Sequence, residues 1–160
     1  VIDAITKTST VVLIAYLQRM NNNGPVILIE DDEDDKDLFE EVFKKLGYQN
    51  KLIFFLDGQS ALDHLNSSSD IPFLILSDIN IPKLDGFALR QKIKTDAALE
   101  LKCIPYLFFT TASNQKAVID AYSMSVQGFF IKPSSMDGLE KTISAVMGYW
   151  TLCTSPNSFD

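Results

Sequence analysis

Histidine is nearly absent from this chain of 160 residues, which carries only His64. Nucleophile–base schemes of the Ser-His or Cys-His kind need an imidazole beside the attacking atom. His64 falls inside a helical segment, where a core or surface role suits it better than catalysis. Cysteine is almost as scarce. Cys103 and Cys153 belong to no C-x-x-C or Cys/His ligand pattern, which removes a thiolate zinc centre and reads as two reduced thiols of a cytosolic protein. No G-x-x-x-x-G-K-[ST] or G-x-G-x-x-G stretch occurs, so nucleotide binding by a glycine-rich loop has no support. The longest apolar run near the N-terminus, Val11 to Leu17, falls well short of the roughly 20 residues that span a bilayer. No cleavage site follows it, so neither export nor membrane contact is expected. Basic residues number 14 against 21 acidic ones, a net charge of −7. That balance speaks against direct nucleic-acid binding, which depends on Lys and Arg neutralising phosphates.

What is present is apolar residues, 46% of the chain, in short runs at even spacing. VILI (Val26 to Ile29), LIFFL (Leu52 to Leu56), FLIL (Phe73 to Leu76), YLFF (Tyr106 to Phe109) and GFFI (Gly128 to Ile131) each have strand length. Continuous rather than alternating apolarity marks strands buried on both faces, as in a parallel sheet covered by helices. Helical spacing fills the intervals: Asp34 to Leu46, Gln59 to Leu65, Gly86 to Lys94, Asn114 to Ser123 and Met136 to Met147. Gly47 is the natural stop of the first. Five alternations of strand and helix predict one α/β domain, an open, doubly wound five-stranded parallel sheet with five flanking helices. The flavodoxin-like strand order 2-1-3-4-5 is one common solution. The connection from Thr95 to Cys103 is long enough to hold an extra helical turn or a mobile loop.

In such a sheet all C-terminal strand ends lie on one edge, where ligands bind. Run one leads into Glu30-Asp31-Asp32, run three into Asp78, run four into Thr110-Thr111 and run five into Lys132-Pro133. Taken singly, each residue is as well explained as a solvated loop residue, a turn former or a surface cation. Their convergence on one edge is not. Asp57-Gly58 after run two, by contrast, is adequately read as a turn and helix cap. Clustered carboxylates share a site comfortably only with a cation, which can be Lys132, a metal ion, or both. A few hard oxygen ligands with room for water and phosphate suit Mg²⁺. The chemistry left is attack by a carboxylate on phosphorus, with Asp78 as nucleophile. Asp31 and the backbone carbonyl of Asn80 are the candidate metal ligands, with Glu30 acting directly or through water.

These blocks together resemble the receiver domain of two-component response regulators. VILIEDDEDD is similar to the family's acidic pair, LILSDINIPKLDGF to its phosphoacceptor block, FFTTAS to its switch hydroxyl and GFFIKPSS to its lysine-proline turn. The resemblance covers about residues 24 to 148, leaving 1 to 23 as an N-terminal extension and 149 to 160 as a tail. It implies the 2-1-3-4-5 order, phosphorylation of Asp78, and an acidic pair formed by Glu30 and Asp31, with Asp32 only a neighbour. Thr110 would bind the phosphoryl group, Lys132 would pair with an acidic or phosphoryl oxygen, and Phe129 would occupy the aromatic switch position.

The implied cycle is transfer from a histidine kinase or histidine phosphotransfer protein to Asp78, self-catalysed, with slow hydrolysis afterwards. A phosphoryl group carrying about −1.5 to −2 of charge would draw Thr110 inward and repack the face formed by the fourth helix, fifth strand and fifth helix. That face is the expected docking surface for an output protein. Too few residues follow Trp150 for an output module, so a cytoplasmic stand-alone receiver, or a fragment of a longer chain, is expected. The enzyme alternative is a Mg²⁺-dependent phosphohydrolase with an aspartyl-phosphate intermediate. Such enzymes commonly place a second acid two residues beyond the nucleophile, where this chain has Asn80.

Overall fold

The computed structural model describes Asn22 and residues 24 to 154, so the expected N-terminal extension lies almost wholly outside the described residues. Five strands form: β1 (Val26–Ile29), β2 (Leu52–Phe55), β3 (Leu74–Ser77), β4 (Tyr106–Thr110) and β5 (Gly128–Ile131). They pair in the order β2-β1-β3-β4-β5, every pair parallel. Between and after them lie α1 (Glu33–Leu46), α2 (Gly58–Ser67), α3 (Gly86–Thr95), α4 (Ala97–Leu101), α5 (Gln115–Ser123) and α6 (Met136–Leu152). The expected flavodoxin-like architecture is thus the observed one.

Six described helices stand where five were expected. The additional one, α4, occupies the long connection after Thr95. Asp96 both ends α3 and caps α4, its side chain accepting from the amides of Ala98 (2.9 Å) and Leu99 (3.0 Å). Helix α6 also runs on to Leu152, past the expected helix end at Met147, because Val146 and Met147 stay buried and Trp150 still packs on the core. No described helix is long and apolar enough to cross a membrane.

The continuous apolar runs are explained by two cores, one on each face. Ile27, Ile29, Ile75 and Phe108 face the helices α2 to α5, whereas Val26, Leu28, Leu76 and Phe109 face α1 and α6. Each such side chain contributes about 1.5–3 kcal/mol on burial, which is why no strand residue in the middle of the sheet can be polar without cost. Helix α1 has acids in its first turn, lysines in its last, and Gly47 at its end with a left-handed φ of 73°. Each of these matches the helix dipole or the geometry of a helix stop.

Strand register delivers the polar residues to one edge. Ile29 lies opposite Phe55 on one side and Ser77 on the other, and Ser77 lies opposite Phe108. The next backbone amides continue the ladder: Glu30 donates to Phe55 O, Asp78 to Ile29 O and Lys132 to Thr110 O, each at 2.9 Å. A close approach of backbone to backbone then fixes the turn after Asp78. A Cβ placed on Gly86 would sit 2.4 Å from Asp78 O and 3.0 Å from Ile79 Cα. Gly86→Ala is accordingly expected to destabilise the fold by about 1–3 kcal/mol, the usual range for overpacking, as read from urea unfolding.

Candidate functional site

Asp78 is the centre of the edge. It is buried, at 6% exposure, directly beyond β3. Its Oδ1 accepts three hydrogen bonds: from the Ile79 amide (2.5 Å), the Asn80 amide (3.2 Å) and the Thr110 hydroxyl (2.6 Å). Its Oδ2 accepts one, from Lys132 Nζ at 3.0 Å. Thr110, fully buried at the end of β4, in turn accepts from the Ala112 amide at 3.2 Å. Its hydroxyl therefore already points inward, at Asp78. Phe129 is half-buried on β5, its ring 6.1 Å from that of Phe108.

Lys132 follows β5 and reaches back over the edge. Its ammonium donates to Glu30 Oε2, to Asp35 Oδ2 (2.8 Å) and to Asp78 Oδ2. All three of its protons are thus spent on carboxylates. Burial works against the charged ammonium, but the bonds to Asp35, Glu30 and Asp78 outweigh it and hold Lys132 above its ordinary value of 10.5. For Glu30 the balance falls to burial. It raises the carboxyl above the ordinary 4.5, and the bond and charge of Lys132 only partly oppose this. Three carboxylates around one ammonium leave the site short of positive charge.

The remaining acids divide by role. Asp31, the residue after Glu30, is exposed. Asp32 is the N-cap of α1, accepting from the amides of Asp34 (2.8 Å) and Asp35 (3.4 Å). Among the described residues no group of three or more His, Cys, Asp or Glu side chains is arranged to hold a metal ion. His64 stands on α2 against the Phe55 ring, at 5.1 Å, and Cys103 and Cys153 are free thiols.

Two contacts were not read from the sequence. One is the bond from Lys132 to Asp35. The other joins Asp57, the expected cap of α2, to Lys83 of the β3–α3 loop at 2.7 Å. The Lys83 bond, with the Ser60 amide, lowers the Asp57 carboxyl from 3.8 to about 2. A depressed carboxyl stabilises the fold above its unfolded value and loses that contribution as pH falls through its folded one. Lys83 is 65% exposed, so solvent screens the pair. Lys83→Met is expected to cost about 0.5–1 kcal/mol at neutral pH. In acid denaturation series that deficit should fade as pH drops from 3.8 to about 2.

The fold and this edge define a signalling module of the receiver class. Residues 26 to 144 match the family model for the response regulator receiver domain, and the chain belongs to that family. Response regulator Rcp1 of Synechocystis is 32% identical over 130 residues, covering 78% of this chain and 87% of that protein. The Mn²⁺-bound form of Rcp1 superposes with a TM-score of 0.72 at 30% identity, over 83% of this chain and 99% of that one. The phosphorylated cyanobacterial phytochrome response regulator RcpA gives 0.74 at 26% identity, over 84% and 99%.

Proposed function

We propose that Asp78 is the phosphoacceptor of this receiver and that the chain catalyses its own phosphorylation. The observation that carries this is the asymmetry of the Asp78 carboxylate. Oδ1 is held by two amides and the Thr110 hydroxyl, whereas Oδ2 accepts only from Lys132 and keeps lone pairs for attack. Oδ2 attacks the phosphorus of a phosphohistidine on a histidine kinase or phosphotransfer protein. An O–P bond forms, the N–P bond breaks, and the electron pair returns to the imidazole nitrogen. Lys132 meets the negative charge of the transferring group, and Thr110 can redirect its proton from Oδ1 to a phosphoryl oxygen. Water later attacks the same phosphorus, releasing inorganic phosphate and restoring the carboxylate.

The donor set at the edge is oxygen only, which fits a hard divalent ion such as Mg²⁺. Asp31, Asp78 and the Asn80 backbone carbonyl would hold it, with Glu30 through water. When bound it supplies charge neutralisation for the phosphoryl oxygens. The output surface is the face of α5, β5 and α6, where Ile119 (59% exposed), Tyr122 (55%) and Ile131 (55%) leave apolar area on α5 and β5. Asn80, two residues past Asp78, offers no general acid, so nothing supports the phosphohydrolase reading. A cytoplasmic location agrees with a phosphohistidine donor.

Intact mass after incubation with Mg²⁺ and a small acyl phosphate tests the proposal. One added phosphoryl group per chain is expected, abolished by a chelator. No addition across several donors and metals would overturn it, and sustained turnover of phosphate esters would point to a hydrolase instead.

A further inference from the structure

Among the described residues Lys132 is the only cation bonded to Asp78, and a lysine on four rotatable carbons does not find one position unaided. Two of its three protons go to groups other than Asp78. Glu30 comes from the end of β1, and Asp35 comes from the first turn of α1. The geometry of that turn is set locally. The Asp32 side chain caps the amides of Asp34 and Asp35, starting the helix at Glu33. Side chains of a helix lean toward its N-terminus, so the third helical residue hangs back over the sheet edge. Asp35 Oδ2 thereby reaches Lys132 Nζ across 97 residues of sequence. Asp34, one position earlier, carries the same charge in the same turn and makes no bond to Lys132.

We infer that Asp35 is a positioning residue for phosphoryl transfer: with Glu30 it pins the Lys132 ammonium so that its third proton faces Asp78. The inference rests on Asp78 being the phosphoacceptor. When a phosphoryl group arrives at Asp78, the Lys132 N–H that now donates to Oδ2 turns to donate to a phosphoryl oxygen, while Glu30 and Asp35 keep the ammonium where it is. The cation then needs no reorganisation in the transition state. Loss of Asp35 leaves Lys132 without its anchor on α1, bonded only to Glu30 and Asp78. The ammonium is then free to settle on Glu30 and Asp78, displaced from the path of the incoming group.

The test is the phosphorylation rate of Asp78 in the full chain, followed by intact mass over a series of acyl phosphate concentrations with Mg²⁺. Asp35→Asn is expected to lower the limiting rate about five- to tenfold with the half-saturating donor concentration unchanged, as for an interaction made in the transition state. Asp34→Asn, which removes the same charge from the same turn, should leave the rate within about twofold of wild type. Asp35→Glu should restore at least half of the lost rate, and Asp35→Ser, a second loss of the carboxylate, should reproduce Asp35→Asn. Circular dichroism of each variant establishes that it is folded. An Asp35→Asn chain that matches wild type overturns this inference alone, as does an equal loss in Asp34→Asn or no recovery in Asp35→Glu. A wild-type chain that takes up no phosphoryl group overturns the receiver reading first and this one with it.

Discussion

Asp78→Asn takes up no phosphoryl group under any donor or metal, while remaining folded: that is the expected result of the largest single change available at this site. The amide oxygen of the substituted side chain can take the place of Oδ1 and keep the bonds from Ile79, Asn80 and Thr110. Its amide nitrogen must then face Lys132, donor against donor, so the ammonium withdraws to Glu30 and Asp35. Two opposed changes follow. One buried hydrogen bond to a charged group is lost, and one of three crowded negative charges is removed. Their near cancellation keeps the stability within about 1–2 kcal/mol of wild type. The chemistry has no such compensation, because an amide oxygen is too weak a nucleophile to displace the donor's leaving group and form an acyl phosphate. Intact mass and urea unfolding on the same sample separate the two readouts. A phosphorylated Asp78→Asn chain would move the acceptor elsewhere.

The legibility of this protein in its sequence follows from where each residue gets its environment. Strand β1 is buried at all four positions, and its unbroken VILI shows it. Glu30, Asp78, Thr110 and Lys132 could be read as one site because parallel strands place all their ends on the same edge, whatever the side chains do there. Asp35 could not. It sits in a run of acids where each residue, taken alone, is a solvated helix-start carboxylate. Only the rotation of the first turn of α1, and a lysine far along the chain, single it out from Asp34. The Asp57–Lys83 pair was hidden for a similar reason. It joins two loops whose mutual approach depends on backbone packing, such as a Cβ placed on Gly58 meeting Leu84 O at 2.0 Å. The last turns of α6 are not legible because its apolar stripe weakens after Met147, where among the described residues of the helix Trp150 packs on the core.

Lys132→Met should be the most destabilising substitution at the edge, by about 3–5 kcal/mol at neutral pH, the cost of stripping the cation from a buried ion cluster. Methionine fills the space of the lysine stem, so the loss is electrostatic rather than a cavity effect. Glu30 and Asp78 are nearly inaccessible, at 4% and 8% side-chain exposure, so solvent replaces the ammonium only in small part. The pH dependence fixes the cause. Burial already raises Glu30 above 4.5 in the wild-type chain, and without Lys132 the interactions that oppose this are gone. A carboxyl whose folded value is raised contributes its full stability below its unfolded value and loses it as pH rises through the folded one. The variant's deficit should therefore be smallest in acid, below the ordinary carboxyl value of 4.5, and grow toward neutrality. A cavity effect would be flat across that range. Urea unfolding of both chains from acid to neutral pH decides between them, and millimolar Mg²⁺ should recover part of the deficit by taking up the uncompensated charge. A deficit that is independent of both pH and Mg²⁺ would mean that Lys132 holds the edge together by packing, and that the site's charge balance is met elsewhere.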